Sequence, residues 1–168
     1  MNQKKIVIFG GQGFLGVNIC KYFLKYSTYQ LISIGNRSKN KNNFFSAQER
    51  KKITFLEFDI FEYRKISKLD LNGSIVIFAA INGIQPQLTF LVKLRKLFLT
   101  LKKNNIKKFF LLSSVSVYGN YIQKLNENIK TKTLNKYAKN CLIAEKISTQ
   151  VFAETKVNLI ILRIAQVF

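Results

Sequence analysis

Ile6-Val7-Ile8-Phe9-Gly10-Gly11-Gln12-Gly13-Phe14-Leu15-Gly16 is the stretch on which the reading of this chain turns. Three β-branched residues and a phenylalanine run straight into a glycine turn, and from Phe14 apolar residues return at helical spacing as far as Tyr26. Strand, glycine turn and helix in that order open a βαβ unit, and Gly10, Gly13 and Gly16 stand at the three positions of a GxxGxxG pattern. One such glycine makes the turn, one lets the backbone approach a pyrophosphate, and one brings helix against strand. The helix N-terminus then offers unpaired N–H groups and the positive end of its dipole to phosphate oxygens. A glycine triplet can also be a turn with no ligand. The strand before it and the amphipathic helix after it favour a dinucleotide.

Working outward, short apolar runs alternate with helical segments: strands at Lys5–Phe9, 31–34, 53–58, 75–79, 108–112 and 158–162, with helices at Phe14–Tyr26, Gln87–Lys103 and 134–154. This alternation predicts an α/β fold, a Rossmann-like, doubly wound parallel sheet of about six strands in three α/β/α layers. At 168 residues the chain is expected to form a single domain over 1–168. Residues 36–50, rich in Lys, Asn and Ser, read as a mobile loop, and 119–136 as a second long polar connection.

On the helix Gln87–Lys103, Phe90, Leu94, Leu97, Phe98 and Leu101 form a stripe that faces a sheet. Leu88, Val92 and Leu99 lie nearly opposite, and the helix at 134–154 likewise carries a second apolar strip in Leu142, Ile143 and Ala153. Two-sided helices of this kind predict a homodimer through 87–103 and 134–154.

Composition narrows the chemistry. With 28 basic and 8 acidic residues the formal charge is +20, which suits an anionic partner or reflects the Lys, Asn and Ile bias of an AT-rich genome. No long basic run or aromatic-basic repeat points to specific nucleic-acid binding. The absence of His excludes Ser-His-Asp and Cys-His catalysis and argues against an ordinary zinc enzyme. Cys20 and Cys141 lack the spacing of a metal or redox pair and read as reduced thiols of a cytoplasmic protein. Lys4 and Lys5 precede an apolar run that breaks at Gly10, unlike a signal peptide, and Lys93, Arg95 and Lys96 interrupt the later apolar stretch, so no membrane insertion is expected.

At the end of the second strand, where an acidic residue would hold the adenosine ribose hydroxyls of NAD, the sequence has Gly35 followed by Asn36, Arg37 and Ser38. Without a carboxylate nothing repels a 2′-phosphate, and Arg37 with Ser38 can hydrogen-bond one, which predicts NADP(H) in preference to NAD(H).

The glycine turn with Phe14 and Leu15, the Asn36-Arg37-Ser38 loop, Phe58-Asp59-Ile60 and Phe78-Ala79-Ala80 together resemble the extended short-chain dehydrogenase/reductases of the epimerase/dehydratase type. Leu112-Ser113-Ser114-Val115-Ser116-Val117-Tyr118-Gly119 is similar to that family's SSxxVYG segment, and Tyr137 opens a helix similar to its YxxxK helix. The resemblance implies an NADP(H)-dependent epimerase, dehydratase or reductase acting on a nucleotide-activated sugar. It implies that Asp59 and Ile60 contact the adenine, that Ala79 and Ala80 line the path of the pyrophosphate and ribose, and that Ser114 and Tyr137 are the catalytic pair. An N-cap role for Asp59 and simple close packing for the alanines are the alternatives.

Residues four apart share a helix face, so a Lys one turn after the Tyr can hold the nicotinamide ribose and lower the phenol pKa from its ordinary value of about 10. Here that position is Cys141, and Phe90 stands where the family has an Asn. These departures set a second reading beside the enzyme: a noncatalytic dinucleotide-binding protein, or an inactive remnant. The chain closes on Arg163-Ile164-Ala165-Gln166-Val167-Phe168, which resembles the family's last strand before its substrate-binding portion. On that reading the C-terminal lobe is absent, through either fragmentation or natural truncation.

Overall fold

The computed structural model describes residues 4–36, 44–82, 87–120 and 126–165. In chain order they form β1 (Lys5–Phe9), α1 (Phe14–Tyr26), β2 (Gln30–Gly35), α2 (Ala47–Lys51), β3 (Ile53–Glu57) and α3 (Tyr63–Ile66). Then follow β4 (Ile75–Phe78), α4 (Gln87–Lys103), β5 (Lys108–Ser114), a 3₁₀ turn at Val115–Tyr118, α5 (Lys136–Phe152) and β6 (Asn158–Ile164). The six strands make one parallel sheet in the order β3-β2-β1-β4-β5-β6. This is the doubly wound Rossmann-like α/β arrangement that the alternation of strand and helix predicts.

Side chains alternate across a strand, so each strand feeds two cores. Val7, Phe9, Val76, Phe78, Phe109 and Leu111 point to the face covered by α4 and α5. Ile6, Ile8, Leu31, Ile53, Ile77 and Leu112 point to the opposite face, where Val17 and Cys20 of α1 meet them. On the first face the stripe Phe90, Leu94, Leu97, Phe98 and Leu101 is buried as its spacing predicts. The centre of that core is aromatic: Phe98 stands edge-on to Phe78 and Phe109, with ring centroids 5.5 Å and 4.9 Å away, and Phe109 lies 4.9 Å from Phe152 of α5.

The structure differs from expectation at the polar connections. The loop read at 36–50 stops at Ser46, because Ser46-Ala47-Gln48-Glu49 is a capping box. The Ser46 hydroxyl accepts from the Glu49 N–H and the Glu49 carboxylate accepts from the Ser46 N–H, which starts α2. The short helix α3 follows β3 where no helix was expected. β5 and β6 each run two residues beyond 112 and 162, because their ladder continues through Ser113↔Arg163 and Ser114↔Ile164. Among the described residues no helix is long and apolar enough to cross a membrane.

Phe98 is fully buried among three other rings, so Phe98→Ala should cost about 3–5 kcal/mol of unfolding free energy in a denaturant titration.

Candidate functional site

The winding of the sheet reverses between β1 and β4, which pair directly, and a crevice opens beyond their carboxyl ends. Gly10, at the end of β1, has φ +81°, in the left-handed region, and donates its N–H to Ile34 O at 2.8 Å. A Cβ there would stand 2.8 Å from the Ala79 carbonyl oxygen at the end of β4. Two turns of contact follow: Gly13 N–H donates to Gly10 O at 2.9 Å, and a Cβ on Gly16 would overlap that same oxygen. Gly10 and Gly16 are therefore required by backbone meeting backbone.

The helix α1 that starts at this turn has Gly13 as its N-cap, with no capping side chain and no acidic residue in its first turn. By contrast, α5 is capped by Asn135, whose side-chain oxygen accepts from the Ala138 N–H at 2.8 Å. The first-turn N–H groups of α1 have no partner within the helix, and they carry the positive end of its dipole. The Gln12 side-chain nitrogen, buried in the same turn, has no hydrogen-bond partner.

A cleft of about 450 Å³ joins this turn to the ends of β5 and β6. Phe14, Leu15, Ala79, Ser114 and Tyr137 all line it, together with Ile81, Leu112, Ser113, Val115, Ser116, Ile164 and Ala165. The structure thus brings together five of the residues singled out in the sequence, from four separate segments. No Lys or Arg lies among the described residues lining the cleft, although the chain carries a charge of +20.

The remaining sequence-predicted positions among the described residues are not part of the cleft lining. Gly10 abuts Ala79 and Ala80, while Ala80 also packs on the α4 and α5 core. Asn36 is exposed just past β2, and Arg37 and Ser38 lie outside the described residues. Asp59 and Ile60 follow β3; the Asp59 carboxylate accepts from the Phe61 N–H at 2.9 Å, and Ile60 packs against the core. Glu62 stands at the N-cap of α3, and the Asp59 N–H donates to the Glu62 carboxylate at 3.2 Å, so Asp59 fastens the turn just before that helix. Phe90 is buried in the core.

Ser114 ends β5 and caps the 3₁₀ turn: its hydroxyl accepts from the Ser116 N–H at 3.2 Å and donates to the Ser116 hydroxyl at 3.0 Å. Tyr137 sits in the first turn of α5 and is 37 % exposed, so its ring faces the cleft with access to solvent. Burial pushes its phenol above the ordinary pKa and the neighbouring Cys141 thiol adds to this, while the Ser114 hydroxyl acts the other way. Cys141 is fully enclosed, and burial raises its thiol to about 11, so it is a neutral group at physiological pH. The position one turn after Tyr137 supplies no cation.

A buried polar network stands behind this pair. Glu145, a further turn along α5, accepts the Ser113 hydroxyl at 2.5 Å and Arg163 Nε at 3.0 Å on one oxygen, and Arg163 Nη2 at 2.7 Å on the other. Arg163 Nη1 donates to the Tyr118 hydroxyl at 2.6 Å, and the guanidinium lies 4.8 Å from that ring's centroid. The sequence reading passed over Glu145 and Arg163. A signal was present in an acidic residue two turns after Tyr137 on a helix face that is otherwise small and apolar, and in an arginine within the apolar run of β6.

The glycine contacts separate two substitutions of equal size. Gly16→Ala forces the turn apart and should lower unfolding free energy by about 1–3 kcal/mol or more, whereas at Gly35 the nearest atom to a new Cβ is 3.9 Å away and Gly35→Ala should leave the melting temperature nearly unchanged.

Known proteins share both sequence pattern and architecture. The sequence model of the NAD dependent epimerase/dehydratase family matches residues 6–168. An uncharacterized UDP-glucose epimerase of Bacillus subtilis (strain 168) is 25 % identical over 182 aligned residues, an alignment that takes in 98 % of this chain and 57 % of that protein. The UDP-glucuronic acid 4-epimerase of Bacillus cereus, solved in complex with NAD, superposes with a TM-score of 0.79 at 22 % identity, over 96 % of this chain and 56 % of that one. The UDP-Glc/GlcNAc 4-epimerase of Campylobacter jejuni gives the same TM-score, 0.79, at 21 % identity, over 95 % and 53 % of the two chains. The chain thus spans little more than half the length of these relatives. Matched by the family's pattern over nearly its whole length, it belongs to the NAD-dependent epimerase/dehydratase family.

Proposed function

We propose that residues 1–168 form the dinucleotide-binding domain of an epimerase, dehydratase or reductase that acts on a nucleotide-activated sugar, with NADP(H) preferred over NAD(H). The observation that carries this reading is the cleft at the winding reversal, which unites Phe14 and Leu15 of the glycine turn with Ser114 and Tyr137. The site fits a dinucleotide. A Cβ at Gly10 or Gly16 would collide with backbone, the first turn of α1 is uncapped, and the buried Gln12 amide nitrogen lacks a partner. Gly10, Gly13 and Gly16 would receive the pyrophosphate, with Asp59 and Ile60 toward the adenine and Ala79 and Ala80 along the path between.

The bound nicotinamide supplies hydride exchange at a sugar carbon. Ser114 and Tyr137 would hold the oxygen on that carbon, with Ser114 orienting it and Tyr137 exchanging the proton. With its pKa above the ordinary value, Tyr137 is a phenol at neutral pH and therefore a donor rather than a base. The neutral thiol of Cys141 favours the second reading, a dinucleotide-binding protein with slow or no turnover, because nothing at that position acidifies the phenol.

The preference for the 2′-phosphorylated cofactor rests on Gly35 and Asn36 in place of a carboxylate at the end of β2, with Arg37 and Ser38 next in sequence. The proposal places the protein in the cytoplasm, with both cysteines as free, buried thiols. It also makes the protein a homodimer through α4 and α5. On α4, Leu88, Val92 and Leu99 are 75 %, 45 % and 39 % exposed along a strip opposite the core.

Nicotinamide fluorescence titrations test the cofactor reading. NADPH should bind more tightly than NADH, Arg37→Glu should remove that difference, and binding of neither would overturn the proposal. Cys141→Lys separates the two readings of activity: it should raise turnover on a UDP-sugar by about 10²-fold or more if the chain is an enzyme short of its ammonium. No gain, with cofactor still bound, favours the noncatalytic reading.

A further inference from the structure

We propose that Glu145 and Arg163 are positioning residues that set the spacing between Ser114 and Tyr137 by locking α5 to the ends of β5 and β6. Tyr137, Cys141 and Glu145 follow one another at single-turn steps on α5, so they lie along one line of the helix surface. That line faces the end of β5. Tyr137 neighbours the Ser114 hydroxyl, Cys141 neighbours the Ser113 hydroxyl, and Glu145 accepts a hydrogen bond from Ser113.

Glu145 is the point where this line is fastened. Its side chain is 7 % exposed and both of its oxygens are engaged, one by Ser113 and Arg163 Nε and the other by Arg163 Nη2. Ser113 and Arg163 are register partners in the β5–β6 ladder, so a single carboxylate grips two neighbouring strands at once. Arg163 then reaches the Tyr118 hydroxyl at the far end of the 3₁₀ turn. Ser114 is held from both sides, by Ser113 before it and by the turn it caps after it.

Buried ion pairs are a weak source of stability, because desolvation offsets the attraction; their directional bonds specify geometry. The rest of the buried face of α5 is mostly small or apolar, with Ala138, Ala144, Ile147 and Val151, flanked by Phe152 and by Asn140, whose amide donates to the Asn82 carbonyl at 2.8 Å, while Glu145 ties the helix to β5 and β6 together. A slide of one residue would break every bond to Glu145. It would also carry Tyr137 about 1.5 Å along the helix axis past Ser114.

The role assigned to Ser114 and Tyr137 rests on the function proposed above, but their spacing can be read without turnover. The test follows the tyrosine phenols of the full chain by ¹³C NMR as pH is raised, with Tyr137→Phe identifying the signal. Ser114→Ala should raise the Tyr137 midpoint in the otherwise native protein, because it removes the hydroxyl that holds the phenol down. In a Glu145→Gln background, which keeps the shape and loses the charge-assisted fork, the same substitution should produce less than about half that increment. Arg163→Lys, which keeps the charge and loses the planar fork, should act in the same direction and serves if Glu145→Gln does not fold.

Ile147→Val loosens the same helix against the core without touching the network, and the increment should survive it. An increment of equal size in the Glu145 and Arg163 variants, its loss in Ile147→Val, or no increment in the native background would each overturn the proposal. An inactive chain leaves the comparison intact, so failure of the enzymatic reading and failure of the positioning role give different results.

Discussion

Backbone contact across the gap between β1 and β4 is the constraint on which the functional end of the sheet depends. Gly10 passes over the Ala79 carbonyl with φ +81°, and Gly16, inside α1, lies against the Gly10 carbonyl with no room for a side-chain atom. A glycine within a helix costs about 0.5–1 kcal/mol relative to alanine, and here that loss is the condition for α1 to sit on the sheet at all. Once α1 is seated, its uncapped first turn faces the crevice, and Phe14 and Leu15 become one wall of the cleft whose other wall is built by β5 and α5.

The opposite wall shows two polar designs side by side. Behind it, the buried Glu145 carboxylate has both oxygens bonded, by Ser113 and Arg163, and Tyr118 accepts from the guanidinium, so the charge that α5 carries inward is paired and hydrogen-bonded. In front of it, the cleft is neutral. Cys141 is a buried thiol, no Lys or Arg lines the space among the described residues, and the phenol of Tyr137 is pushed toward its protonated form. Ser114 and Tyr137 share the cleft, while nothing beside Tyr137 acidifies its phenol strongly. This contrast separates the proposed binding of a dinucleotide from the question of turnover.

Local rules made much of this legible. The strand–turn–helix of residues 5–26, the six apolar runs and the stripe on α4 each state their own partner, because a buried strand needs an unbroken apolar run and a sheet-facing helix needs apolar residues at every third or fourth place. The capping box at Ser46 and Glu49 was equally local, yet the Lys, Asn and Ser around it masked it. Ser114 and Tyr137 were legible as a resemblance; that they share a cleft with Phe14 and Leu15 was not, since the segments carrying them are far apart in the chain.

The sequence by itself determined the class of the fold, the glycine cradle, the missing carboxylate after β2 and the missing ammonium at position 141, because each is a property of residue type and spacing along one segment. Only the tertiary structure decided that Glu145 meets Arg163 and Ser113, that no basic side chain lines the cleft among the described residues despite a charge of +20, and that Cys141 is neutral. Those facts depend on which groups lose water together when α5 packs on β5 and β6, and no local pattern encodes shared desolvation.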